Sequence, residues 1–334
     1  MKFLVTGSAG YIGGTFTFEA LKRGHKVLGL DNYINSTPSF TSCLKENFPG
    51  RFAFQETSLD SVDDLDLVFK QFKPECVFHF AGLKSVSDSE KNPLQYWGNN
   101  FFSSFNIIES MRRNCIRKIV FSSSATVYGD TVKQPVSEDE SLSSISTYGS
   151  TKIAIESFLK DCAKSNLIDC ISLRYFNPVG AHAEKIIYEN PLGNPGNLMP
   201  RIIRVALKID EQVNIFGNDY ATKDGTGERD FIHVSDLVDG HFKAHEFINT
   251  NNGYHAYNLG TGESVSVLEL ISEFQTTNKL KINFNYSERR KGDIEVCFAD
   301  PTKAHSDLAW KAERNISAMC KDAWDAVKDR DELK

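Results

Sequence analysis

Residues 2–31 read KFLVTGSAGYIGGTFTFEALKRGHKVLGLD. KFLVTG has the make-up of a buried strand, and Gly7, Gly10 and Gly13 follow as G-x-x-G-x-x-G. An apolar, helix-like run then reaches Leu21, and Gly24 supplies its stop. In such a strand–turn–helix, one glycine permits the tight turn and one lets the backbone approach a pyrophosphate. The last lets the helix pack closely. The helix N-terminus adds unpaired N–H groups and a positive dipole end, both suited to phosphate. The second strand, KVLGLD, ends at Asp31, about where a carboxylate grips the ribose diol of a dinucleotide. No arginine follows to receive a 2′-phosphate, so the pattern favours NAD over NADP.

Outward from this unit the alternation continues. FAFQET, around residues 53–57, reads as a third strand. Residues 61–72 form a helix with Leu65, Val68, Phe69 and Phe72 on one side. CVFHFAG (76–82) is an apolar strand, and Pro93 opens a long amphipathic helix over 93–113. KIVF, the helix YGSTKIAIESFLKDCAK and the strand ISLRYFNPVG (171–180) follow. Strands alternating with helices predict an α/β fold, a Rossmann-type doubly wound parallel sheet covered on both faces. After Gly180 the alternation loosens into AHAEKIIYENPLGNPGNL, a long loop or junction with two prolines and two glycines. Beyond lie a helix over 199–208, the strand VNIFG, and a helix that Ser235 could cap. A helix over 266–275, the strand KINFNY and a helical C-terminus complete the chain. The expected organisation is an NAD-binding domain over 1–180 and a smaller C-terminal α/β substrate domain over 181–334. Chains of this kind can cross back between the two.

The chemistry gathers in FSSSATVYG (121–129) and YGSTK (148–152). Tyr148 and Lys152, four residues apart, stack on one helix face. A phenol with a pKa near ~10 is a poor base at neutral pH. A nearby ammonium and a positively charged nicotinamide ring both favour the phenolate. Lowering the phenol by roughly three units takes about 4 kcal/mol, within reach of two charges in a dry site. Ser122, Ser123 and Ser124 follow the strand KIVF, at the carboxyl end where open α/β sheets bind ligands.

Composition narrows the classes. A chain of 334 residues buries a large core, as one domain or two joined ones. With 38 Lys and Arg against 44 Asp and Glu and no basic block, nucleic acid and membrane surfaces are poor partners. Met1 leads straight into the first strand, leaving no room for a signal peptide, and no apolar run approaches membrane-spanning length. The seven cysteines are scattered and odd in number, which predicts reduced thiols and a cytoplasmic location. The terminal DELK resembles an ER-retention signal with its lysine misplaced, and carries no meaning without a signal peptide. His241 and His245 stand at helical spacing without a third ligand, so a solvated or capping pair is expected and no metal.

Further stretches are more specific. GSAGYIGG, LDNYINS, HFAGLKSV, FSSSATVYGD, YGSTK, LRYFNPVGAH, NLMPRI, IFGNDYATKDGTGERDFIHVSDLVDGH, YNLGTG and ERRKGD occur in this order. Over nearly its whole length the chain resembles the UDP-glucose 4-epimerase family, isomerases of galactose metabolism within the extended short-chain dehydrogenase/reductase superfamily. The resemblance implies a Rossmann domain holding NAD tightly without consuming it, a small domain holding UDP-sugar, and a homodimer. It implies Ser124, Tyr148 and Lys152 as the catalytic group. Gly7, Gly10, Gly13, Asp31, Asn32, Asn35, Ser36, Leu59, Phe80, Lys84, Asn99, Ser122, Lys152 and Tyr175 are implied as NAD contacts. Asn177, Asn197, Leu198, Phe216, Arg229, Arg290, Asp293 and Cys297 are implied as the UDP-sugar site, where guanidinium groups match a diphosphate bidentately. In the implied reaction Tyr148 takes the proton of the sugar 4-hydroxyl while a hydride leaves C4. The resulting 4-keto sugar turns over and takes the hydride back.

The chain departs from the family pattern at a few positions. Ser58 replaces an aspartate that contacts the adenine amino group, and Ser150 and Thr151 replace Lys-Ser inside the Tyr–Lys motif. The connection around 183–190 also differs. Cys297 stands where a tyrosine restricts members to plain hexoses. The smaller residue predicts that UDP-GlcNAc and UDP-GalNAc are interconverted as well. One rival is a nucleotide-sugar 4,6-dehydratase, but that chemistry uses an Asp-Glu pair where Ala125 and Thr126 stand. The other is a non-catalytic NAD-binding module, a class that usually loses the tyrosine or the lysine retained here.

Overall fold

In the computed structural model the described residues are 1–130, 133–193, 195–290 and 292–330, and the DELK tail lies outside them. The strands of the first half are β1 (Lys2–Thr6), β2 (Lys26–Asp31), β3 (Phe52–Glu56), β4 (Cys76–His79), β5 (Lys118–Ser124) and β6 (Asp169–Tyr175). Then come β7 (Asn177–Val179), β8 (Val213–Phe216), β9 (Glu228–Arg229), β10 (Phe231–His233) and β11 (Tyr254–Leu259). β12 (Val265–Ser266), β13 (Phe284–Ser287) and β14 (Val296–Cys297) complete them. The helices begin with α1 (Tyr11–Lys22), α2 (Pro38–Asn47), α3 (Val62–Phe72), α4 (Val86–Lys91), α5 (Pro93–Tyr96) and α6 (Phe102–Arg113). They continue with α7 (Thr147–Lys164), α8 (Leu198–Ala206), α9 (Val234–Ile248), α10 (Val267–Asn278), α11 (Thr302–Leu308) and α12 (Ile316–Asp325).

Two compact units emerge, the first from residues 1–129, 141–174 and 240–257, the second from 130–140, 175–239 and 258–334. The first contains a seven-stranded sheet in the order β11-β6-β5-β4-β1-β2-β3. Its strand pairs β3–β2, β2–β1, β1–β4 and β4–β5 run parallel, as the alternation predicts. Strand order reverses between β1 and β4, and ligands of such sheets bind in the crevice beyond that point. One face of the sheet carries an aliphatic core including Leu4, Val77, Ile107, Ile119 and Ile155. Phe3, Phe16, Phe78 and Phe242 pack as a cluster of rings elsewhere in this unit.

Helices α2 and α4, the short strands β9 and β14 and a π turn escape the sequence reading. Residues 38–47 form α2, opened by Pro38 at its first position. The expected helix over 93–113 is interrupted by a π turn at Trp97–Phe101 between α5 and α6. That wider turn carries Asn100, which is buried and grips Leu83: its Oδ1 accepts from the Leu83 amide at 2.8 Å and its Nδ2 donates to the Leu83 carbonyl at 3.0 Å.

The second unit has smaller sheets, β10-β7, β12-β9-β14 and β13-β8. Met199, Ile202, Phe274, Met319 and Ala323 of α8, α10 and α12 form its core. α10 is closed by a capping box, Ser266 with Glu269. Ser235 is not a cap: it lies inside α9, and its amide donates to His233 Nδ1 at 3.0 Å.

Candidate active site

Helix α7 starts at Ser146, whose hydroxyl accepts from the Gly149 amide at 3.1 Å. Its first two turns carry Tyr148 and Lys152, both buried. The Tyr148 amide donates to Ser89 Oγ at 3.1 Å, and its ring packs with Leu83 and Tyr96. Lys152 Nζ donates to the Ser122 carbonyl at 2.7 Å and lies 5.8 Å from the Tyr148 ring centroid. The Tyr148 hydroxyl is hydrogen-bonded to Ser124.

The direction of that bond follows from counting. Ser124 Oγ accepts from the Thr126 amide at 3.2 Å and from Thr126 Oγ1 at 3.0 Å. A hydroxyl has two lone pairs and one proton, so Ser124 has its proton left to give to the Tyr148 oxygen. A donor aimed at that oxygen favours the phenolate. Thr126 thereby orients Ser124, a role the sequence reading assigned to no residue.

Burial acts the other way. Loss of solvent pushes Tyr148 up to about 12, against the pull of the Ser124 hydrogen bond. The same desolvation brings Lys152 down to about 8, with the Glu156 carboxylate opposing it. Both groups are thus biased toward their neutral forms, because each charge lacks water.

The residues expected around a dinucleotide form a glycine turn, a helix end and a carboxylate. Gly7 has φ +69°, and a Cβ there would meet the Ala81 nitrogen at 2.8 Å. A Cβ on Gly13 would meet the Gly7 carbonyl at 2.3 Å. Gly10 is the N-cap of α1 and offers no capping side chain, so the helix end is left for an anion. Asp31 accepts from the amides of Ala9 (3.0 Å) and Tyr33 (2.9 Å) and from Ser36 Oγ (3.0 Å). A carboxylate offers about four acceptor sites, so one remains for a ribose hydroxyl. Asn32 Nδ2 donates to Ser58 Oγ at 3.4 Å, tying the loops after β2 and β3. Leu59 is buried, the Phe80 ring lies tilted 5.5 Å from that of Phe16, and Asn99 belongs to the π turn. Asn35 and Lys84 are exposed, and Tyr175 is buried at the end of β6. This donor set and glycine cradle fit NAD.

The residues expected at the sugar nucleotide lie in the second unit. Cys297 pairs with Arg229 across β14 and β9, and the Asn177 amide donates to the Asp230 carbonyl at 2.9 Å. Buried Asp230 accepts from Thr261, Gly262 and Ala299, pinning the chain on both sides of this group. Arg290 stacks 4.3 Å from the Phe216 ring and pairs with Asp293 at 3.1 Å. Asn197 stands at the N-cap position of α8 but its side chain donates to Glu189 Oε1 at 2.7 Å instead of capping, and Leu198 opens that helix.

Residues 3–260 match the NAD dependent epimerase/dehydratase family. The chain belongs to that family. It is 45% identical over 325 residues to a UDP-glucose 4-epimerase of Bacillus subtilis (strain 168), covering 97% of this chain and 96% of the relative. The fold is similar to the crystal structure of a UDP-glucose 4-epimerase from Stenotrophomonas maltophila with bound NAD and formylated UDP-arabinopyranose. That likeness has a TM-score of 0.94 at 40% identity, covering 98% of this chain and 97% of the other. A Bifidobacterium longum UDP-glucose 4-epimerase in complex with NAD+ and UDP gives 0.94 at 37% identity, covering 98% of each chain.

In this member of the family His241 and His245 are neither solvated nor capping, which corrects the sequence reading. His241 lies 4.8 Å from the Phe80 ring and His245 4.9 Å from the Phe3 ring, and both are buried. Among the described residues no group of three or more His, Cys, Asp or Glu could hold a metal ion. No helix of the described residues is long and apolar enough to cross a membrane.

Proposed function

We propose that the protein interconverts UDP-glucose and UDP-galactose by inverting C4 of the hexose through a 4-keto sugar. The observation that carries this reading is the Ser124–Tyr148–Lys152 group, with Ser124 left as a donor to the Tyr148 oxygen. Family membership and the named relatives support it. Tyr148 takes the proton of the sugar 4-hydroxyl and returns it on the other face, and Ser124 donates its proton to the Tyr148 oxygen. Lys152 stands beside the phenol and contributes positive charge. When bound, NAD supplies the acceptor and donor of the C4 hydride and a positive ring beside Tyr148. Gly7, Gly10, Gly13, Asp31, Asn32, Asn35, Ser36, Leu59, Phe80, Lys84, Asn99, Ser122, Lys152 and Tyr175 hold it.

Arg229 and Arg290 receive the diphosphate of the substrate, with Asn177, Asn197, Leu198, Phe216 and Asp293 around the rest of it. Cys297 leaves room at C2, so N-acetylated UDP-hexoses are accepted too. A dehydratase reading lacks its Asp-Glu pair, since the 3₁₀ turn after Ser124 is Ala125–Tyr128. Exposed Leu94, Trp97, Phe102 and Phe105 along the α5–α6 stretch support a homodimer. The seven free cysteines fit a reducing cytoplasm. The test is purified protein, UDP-galactose and no added cofactor, followed by NMR. UDP-glucose should appear, and a 4-keto-6-deoxy product or no product at all would overturn the reading.

A further inference from the structure

Behind the catalytic group lies a buried charge pair to which the proposed reaction gives no task. Glu156 is 2% exposed and Arg174 4%. Arg174 Nη2 donates to Glu156 Oε2 at 2.7 Å, and its Nε donates to Oε1 at 3.1 Å. Tyr254 OH donates to Oε2 at 2.9 Å and Ser123 Oγ to Oε1 at 2.5 Å, while Arg174 Nη1 donates to Tyr128 OH at 2.8 Å. Desolvating two charges offsets their attraction, so an apolar pair would serve the core as well.

The location explains the pair better than stability does. Glu156 follows Lys152 by one helical turn, as Lys152 follows Tyr148. One face of α7 therefore meets three consecutive residues of β5. Tyr148 meets Ser124, Lys152 meets the Ser122 carbonyl, and Glu156 meets Ser123 between them. We propose that Glu156, held by Arg174, is a positioning residue: through Ser123 it locks the end of β5 against α7. That lock sets the register in which Ser124 and Lys152 meet Tyr148. Carrying the four-residue spacing one turn past Lys152 would have found it in the sequence.

The inference rests on the proposed 4-epimerase reaction. Glu156→Gln would strand the Arg174 charge in the core and is a poor test. Ser123→Ala and Tyr254→Phe each remove one hydroxyl from the same carboxylate, so their costs in thermal stability should be similar. Only Ser123 lies on the strand that meets the catalytic residues. Ser123→Ala should lower kcat on UDP-galactose about tenfold with little change in KM, because a slightly misplaced group slows chemistry without weakening binding. It should also move the acid limb of the kcat–pH profile upward, as the phenol loses part of the Ser124 and Lys152 support. Bound NAD should be unchanged, and Tyr254→Phe should keep kcat within about twofold. Equal kcat in the two variants, or a Ser123→Ala effect confined to melting temperature, would overturn the inference. Wild-type protein inert toward UDP-galactose would instead overturn the reaction on which it rests.

Discussion

In the first unit Tyr148 and Lys152 are 9% and 4% exposed, whereas in the second the Arg290 side chain is 48% exposed and its partner Asp293 27%. The buried pair sits at pKa values near 12 and 8 because water has been removed from both. The exposed pair stays in solvent, where such an ion pair contributes about 0–1 kcal/mol. Groups proposed for proton transfer are thus built into the fold and held by hydrogen bonds. The Arg290–Asp293 pair proposed for recognition keeps its charge in water, whereas Arg229 is half-buried and donates to the Glu228 carbonyl at 2.8 Å. The first arrangement costs stability and gives geometry, and the second does the reverse.

The comparison is broken most directly by removing the phenol. Tyr148→Phe keeps the ring packed against Leu83 and Tyr96, so fold and bound NAD should survive. Loss of a general base alone costs ~10²–10⁴-fold in rate. Turnover of UDP-galactose should fall by at least that range, measured beside NAD content and melting temperature. A variant retaining more than about a tenth of the activity would remove Tyr148 from the proposed role.

The second unit is probed at Cys297. Its thiol is buried and pushed up to about 11, chiefly by desolvation, so it is an inert neutral group beside Arg229. Under the proposed reading it leaves a gap for an acetamide, and filling the gap is a repulsive device needing no new attraction. Cys297→Tyr should abolish conversion of UDP-GalNAc, roughly a hundredfold or more, and spare UDP-galactose. A matched melting temperature guards against overpacking. Wild-type protein inert with UDP-GalNAc would show that this position does not set the breadth.

Most of the first unit was legible because its signals are local. The glycine turn, Asp31 and the strand–helix alternation depend on neighbours in sequence, and so does the Tyr148–Lys152 spacing. What was not legible depends on tertiary burial. The Tyr148–Lys152 spacing says nothing of the desolvation that opposes the phenolate. His241 and His245 carry a helical spacing that says nothing of the phenylalanine rings around them. Apart from Gly98, the π turn at Trp97–Phe101 carries no Gly or Pro signal that sets it apart from an ordinary helical turn. In the second unit the longer elements were legible but the short strands β9 and β14 were not. The grouping of Asn177, Arg229 and Cys297 came only from the resemblance, because the strand pairs that position them are distant in sequence.

Burial of ionisable groups in the first unit also predicts its response to acid. Desolvation holds His79 near 3 and His245 near 4, against an ordinary value of 6.5. Around His245, His25 and Lys118 lower the value while Glu246 and Glu75 raise it, and burial exceeds them all. Below pH 6.5 the unfolded chain takes up protons that the folded chain refuses, so stability is complete above 6.5 and falls as pH drops. At pH 5 each histidine should account for a loss of about 2 kcal/mol. Glu109, held at about 2 by its arginine partners, adds its loss only below the ordinary carboxylate range. Melting temperature should therefore drop between pH 7 and pH 5. His245→Phe should make that drop smaller, though His79 and His25, both lowered by burial, keep part of it, and the variant replaces an Nε2 that has no partner among the described residues. An unchanged pH slope in the variant would place the sensitivity elsewhere.

The smallest expected effect tests whether charge matters where water remains. Ser58 is exposed, and its hydroxyl accepts from Asn32 Nδ2 at 3.4 Å. A neutral acceptor there is weaker toward an adenine amino group than the carboxylate of the family pattern. The glycine cradle and Asp31 remain, so wild-type protein purified without added NAD and then denatured should release close to one dinucleotide per chain. Ser58→Asp would supply the charge, but an exposed charge is screened, and Asp60 stands two residues away. The variant should bind NAD tighter by less than about fivefold, a difference under ~1 kcal/mol. A gain of a hundredfold, or wild-type protein recovered mostly without cofactor, would show that this edge of the nucleotide site is dry when filled. The contrast between a buried catalytic group and solvated recognition groups would then no longer divide along the two units.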